Sequence, residues 1–128
     1  MTETSLTPPE SDKTSLGLER NTAALLSYFF TPLLGIVLYL IERNNKYVRF
    51  HALQSILFGF AWIIASGLLF VLNWLLGKLP VLGGFLTWSL TLVYLIGSIA
   101  IVITLMLKAY RGDWYKLPFI GDIAERNV

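Results

Sequence analysis

Cysteine is missing from all 128 residues, and histidine occurs once, as His51. The first absence removes disulfide frameworks, thiolate metal sites and thiol nucleophiles. The second removes histidine clusters for metal, and no H-E-x-x-H or carboxylate pair lies inside an apolar run. A G-x-S-x-G elbow, a phosphate-binding loop and a dinucleotide fingerprint are lacking too. No cofactor or metal is therefore expected, and the chain does not read as an enzyme. Charge is also scarce: Asp, Glu, Lys and Arg make up 14% of the residues, against roughly a quarter in soluble domains. A net charge of +2 spread over short loops offers nothing to nucleic acid. The first residues, Met1-Thr-Glu-Thr-Ser, have no basic stretch, which argues against a signal peptide.

What the chain has instead is apolar surface, 55% of its residues. A globule this small buries only about two thirds of the surface its unfolded chain exposes, so lipid is the natural solvent for the excess. Residues 1–17 are polar, with Pro8-Pro9, and read as a disordered tail; 18–128 read as one domain. Three apolar runs follow, at about 22–41, 52–76 and 82–107. At ~1.5 Å per residue the shortest reaches about 30 Å, the thickness of a hydrocarbon core. In hydrocarbon every amide must bond within the protein, and runs without two-residue alternation do so as helices. The expectation is an all-α integral membrane protein with three transmembrane helices and a short interfacial C-terminal segment, 108–128. Pro32 should kink the first helix.

With three crossings, Lys13, Arg20 and Lys78 share one side, and Arg43, Lys46, Arg49, Lys108, Arg111, Lys116 and Arg126 the other. The excess of cations marks the cytoplasmic side, so the expectation is an N-terminus outside and a C-terminus in the cytoplasm of a cell-membrane protein.

Small and polar residues recur on one face of each run: Tyr28, Gly35 and Tyr39; then Gly59, Ser66 and Asn73; then Thr87, Thr91, Tyr94 and Ser98. Such stripes either pack helices together or line a polar path. No Asp, Glu, Lys or Arg lies near the middle of a run, which favours packing. Glu42 and Lys108, at run ends, are expected to snorkel to the headgroups. Arg49, His51, Gln54 and Ser55 place a cation, an imidazole, an amide and a hydroxyl within two turns and form the candidate functional cluster. It reads as an anchor to a neighbouring helix or as a binding site at the interface. At the C-terminal end Trp114 and Tyr115 suit an aromatic belt, Asp122 is a candidate cap, and the acids Asp113, Asp122 and Glu125 could pair with the basic first loop.

Three stretches carry a resemblance: Leu18-Glu-Arg-Asn-Thr-Ala-Ala24, then Ile41-Glu-Arg-Asn44 with Val48-Arg-Phe-His-Ala-Leu-Gln-Ser55, and Lys116-Leu-Pro-Phe-Ile-Gly-Asp-Ile-Ala-Glu125. Together they resemble small prokaryotic membrane proteins of unknown function that are grouped with Tic-twenty, an import component of the chloroplast inner envelope. The resemblance implies a helical membrane fold and a link to protein translocation, with Arg49, His51 and Gln54 as the shared positions to test. The expected function is that of a non-catalytic helix-packing subunit or scaffold, in a homo-oligomer or larger membrane complex within the lipid bilayer. The alternative is a small oligomeric channel or carrier lined by the polar stripes. A headgroup sensor using Arg43, Lys46 and Arg49 is a further reading.

Overall fold

A computed structural model describes residues 13–128. Of the tail expected over 1–17, residues 1–12 lie outside the described residues. Residues 13–17 form a turn in which Lys13 bridges to Glu19 and the Ser15 N–H reaches the Glu42 carboxylate at 2.6 Å. The helices are α1 (Arg20–Leu26), α2 (Leu33–Ile41), α3 (Lys46–Leu76), α4 (Leu82–Tyr110) and α5 (Ile120–Arg126).

Among the described residues two helices, not three, are long and apolar enough to span a bilayer: α3 and α4. At ~1.5 Å per residue they measure about 46 and 44 Å, a bilayer with its headgroups. Their most apolar stretches are 11% and 6% buried, the reverse of a soluble core helix. The run expected to span at 22–41 is instead two short helices that turn back on each other. The turn lies at residues 27–32, where Pro32 follows a cis peptide bond and has no N–H to give a helix. Side chains take up the carbonyls that the break frees. The Ser55 hydroxyl donates to the Ser27 carbonyl, and the Thr31 hydroxyl to the Tyr28 carbonyl at 3.0 Å.

Contacts along α3 fix the direction of each leg. Moving deeper, α1 meets it with Arg20 over the Tyr47 ring, then Tyr28 against His51 and Gln54. Helix α2 returns beside it, with Pro32 at Gly59, Gly35 at Ala52 and Ser55, and Arg49 bonded to the Tyr39 and Glu42 carbonyls. Both glycines are demanded by close approach: a Cβ at 35 would lie 2.7 Å from Ser55 Oγ, and one at 59 would lie 2.6 Å from Pro32 Cβ. The hairpin tip therefore sits about 20 Å along α3 from its start. Phe29, Phe30 and Leu33 are exposed there, and irregular backbone at that depth is tolerated because its polar groups are held by protein.

The C-terminal segment also dips and returns. Asp113 meets His51, Tyr115 and Leu117 meet Gln54, and Pro118 and Ile120 share a groove with Phe58 and Ala61. Helix α5 then climbs back until the Asn127 carbonyl accepts from Tyr39 at 3.3 Å. It starts at Ile120, so Asp122 lies in its first turn and is not its cap. Three helical pieces, α1, α2 and the strap with α5, thus surround one half of α3 and α4, and the other half of that pair stands alone.

Candidate functional site: a buried polar lock

At the middle of the packed half, Tyr28, His51, Gln54 and Ser55 are all buried to 1% exposure or less. Buried polar groups need partners, and here each finds one. The Asp113 carbonyl can only accept, so His51 Nε2, 3.0 Å away, carries the proton that bonds it. In the neutral ring Nδ1 then accepts, and the Tyr28 hydroxyl donates to it over 2.9 Å. The Tyr28 oxygen accepts in turn from Gln54 Nε2 at 2.8 Å, whose other proton goes to the Tyr115 carbonyl at 3.1 Å. Gln54 Oε1 accepts from the Leu117 N–H at 3.0 Å. One directed chain therefore ties α1, α3 and the C-terminal strap.

Aromatic edges close around it: His51 makes edge contacts with Tyr28, Tyr47 and Phe50, and Trp114 covers Tyr47 and Phe50. The Tyr47 hydroxyl fixes the end of α4 by donating to the Ala109 carbonyl at 2.6 Å. Sequence reasoning grouped His51 and Gln54 in one cluster; the structure joins them through Tyr28, whose place in the packing stripe gave no hint of that role. Arg49 belongs elsewhere. It points at α2, stacking over the Tyr39 ring at 4.3 Å while bonding the two carbonyls that end that helix.

Glu42 was expected to snorkel and does the opposite. It is 1% exposed and accepts from the backbone N–H groups of Ser15, Asn44 and Asn45 and from the Ser15 hydroxyl. Burial pulls its pKa upward, but those donors prevail and hold it below its ordinary value. The motif Glu42-Arg-Asn-Asn45 carried that signal, since a carboxylate at a helix end can gather the N–H groups of the next turn. Asn45 then caps α3 by accepting from Val48 N at 3.2 Å.

In the exposed half the stripes meet pairwise between α3 and α4. Trp62 donates to Ser98 at 3.0 Å, Ser66 meets Tyr94 at 2.6 Å, and Asn73 donates to Thr91 at 2.9 Å. Thr87 crosses to no neighbour and bonds back to the Gly84 carbonyl. The strap's acids do not reach the basic first loop: Asp113 pairs with Lys108, and Asp122 and Glu125 with Lys116. Among the described residues no group of three carboxylate, imidazole or thiol side chains gathers to hold a metal.

Comparison with known proteins places this arrangement. A model described as the magnetosome magnetite crystal formation protein family matches residues 19–124. A UPF0132 membrane protein of Methanocaldococcus jannaschii is 42% identical over 116 residues, covering 89% of this chain and 93% of its own. A UPF0132 membrane protein of Archaeoglobus fulgidus is 35% identical over 114 residues, covering 87% and 97%. No solved structure matches the chain.

Proposed function

We propose, for a chain that belongs to the magnetosome magnetite crystal formation protein family, a non-catalytic membrane scaffold that works through helix packing. The carrying observation is the directed chain from Leu117 through Gln54, Tyr28 and His51 to Asp113. It spends Tyr28, His51 and Gln54 on closing the fold. The exposed half argues the same way, because Thr87, Ser89 and Thr104 give their hydroxyl protons to carbonyls of their own helix. The mineral chemistry in the family's name is not carried over: of the five acids described, Glu42 is enclosed by donors, Asp113, Asp122 and Glu125 are paired with lysines, and Glu19 is a single carboxylate at the start of α1.

The two-span topology supports a different orientation from the one expected. A hairpin that returns and two crossings put Lys13 and Val128 at one end, together with Arg20, Arg43, Lys46, Arg49, Lys108, Arg111, Lys116 and Arg126; with Lys13 these make nine of the ten cations. Lys78 is alone at the other end. That end then faces the cytoplasm, with the chain in the cell membrane. A role beside a protein translocase, suggested by the Arg49–Ser55 resemblance, fits a scaffold whose hairpin and strap are held by those same residues. Reconstituted vesicles test the reading. The protein should leave them tight to ions and small solutes, and His51→Leu or Gln54→Leu should lower its melting temperature. Solute flux that those substitutions abolish in a still-folded protein would replace the scaffold with the channel.

A further inference from the structure

We propose that the chain is a membrane wedge, whose partner is a bilayer bent convex toward the end that carries Lys13 and Val128. The inference deepens the scaffold reading and rests on it. Buried residues of α3 stop at Gly59: from Phe60 to Leu76 none is buried, and in α4 none is buried from Gly84 to Thr104. Those stretches, about 25 and 31 Å long, present most of their surface to lipid; besides each other they meet the hairpin and the strap only at their inner ends, around Ala61, Trp62, Ile99 and Ile101. At the other end the same two helices are wrapped by α1, α2, and the strap with α5. A helix about 10 Å across occupies roughly 80 Å² in the membrane plane, so the wrapping adds on the order of 240 Å² to one leaflet alone.

Both halves are stiff enough to keep that shape. The wide end is locked by the Gln54–Tyr28–His51 chain and by Pro32 seated on Gly59. The narrow end is held by the Trp62–Ser98, Ser66–Tyr94 and Asn73–Thr91 bonds, the small-and-polar contacts that associate helices in lipid. Depth is set by aromatic residues exposed at both levels, Trp74 and Trp88 at the narrow end and Tyr110, Trp114 and Tyr115 at the wide one. Lipid wets the wide end's upper edge as well: a cleft of about 320 Å³ opens between Phe29, Phe30, Phe58, Trp62 and Ile99. An inclusion wider in one leaflet is more stable where that leaflet is stretched, and this difference between flat and curved bilayer is what partitions it.

The test uses the full chain in giant vesicles of phosphatidylcholine and phosphatidylglycerol, from which narrow tubes are pulled outward. Because the chain has no cysteine, Lys78→Cys and Arg126→Cys provide single dye sites at the narrow and wide ends. An impermeant quencher then separates the two orientations. Molecules with the wide end outward should be enriched in the tube relative to the parent membrane, roughly threefold for a preference of one RT. Those with the wide end inward should be depleted to a similar degree. Equal partition of both orientations, or sorting in the same direction by both, overturns the wedge. Ion leakage through the same vesicles would sink the scaffold reading on its own, whatever the sorting.

Discussion

Gln54→Leu is the most telling single change. The side chain is fully buried and makes three bonds, donating to the Tyr28 hydroxyl and the Tyr115 carbonyl and accepting from the Leu117 N–H. Leucine fills most of the space and makes none of them. Hydrogen bonds between membrane helices average about 0.6 kcal/mol, whereas a buried group left unpaired costs about 1–3 kcal/mol. The Leu117 N–H and Tyr115 carbonyl can recover water only if the strap lifts, so strap opening should become easier by about 2 kcal/mol, roughly thirtyfold in its equilibrium. Protease cleavage between Asp113 and Leu117 in detergent micelles reads that opening directly, and thermal melting reads the global loss. A cycle with Tyr28→Phe adds a check: the Tyr28 hydroxyl joins Gln54 to His51, so the two losses should fall short of additive. Cleavage at the wild-type rate, with additive losses, would show that the chain of bonds does not hold the strap.

Gly59→Leu should unseat the hairpin, because even a Cβ there would meet Pro32 Cβ at 2.6 Å; a loss of about 1–3 kcal/mol in a detergent melt is expected, and an unshifted melt would contradict the packing. The Glu42 carboxyl is held below its ordinary 4.5 in the folded chain, so the unfolded chain takes up that proton at the higher pH. Its stabilisation is therefore complete above the ordinary value and lost as pH falls through the depressed one; melts between about pH 6 and pH 3 should show this, and Glu42→Gln should flatten that part of the profile. Arg49→Lys keeps the charge but loses the planar stack on Tyr39 and the reach by which Arg49 Nη1 bonds two carbonyls, and should destabilise α2 by about 1 kcal/mol; equal stability would mean that charge alone is used there. In intact cells an impermeant thiol reagent should label Lys78→Cys and spare Arg126→Cys, and the reverse pattern would overturn the orientation.

The two crossing helices were legible because hydropathy measures transfer into lipid, and α3 and α4 are apolar for the full depth. The first run failed the same test for a reason that hydropathy cannot express. Twenty apolar residues put the same side chains into lipid as one straight helix or as two short legs, and hydropathy sums only those side chains. What separates them is whether the middle of the run has partners for a broken backbone. Ser27, Tyr28, Thr31 and Pro32 cluster there, and α3 carries Gln54, Ser55 and Gly59 at the spacing that receives them. Each set alone reads as a packing stripe; the break is visible only when the two are paired. Charge offered the independent clue. Three crossings divide the ten cations three to seven, while a returning first run divides them nine to one. The second division is much the stronger charge bias, so charge asymmetry can identify a re-entrant segment that hydropathy counts as a span.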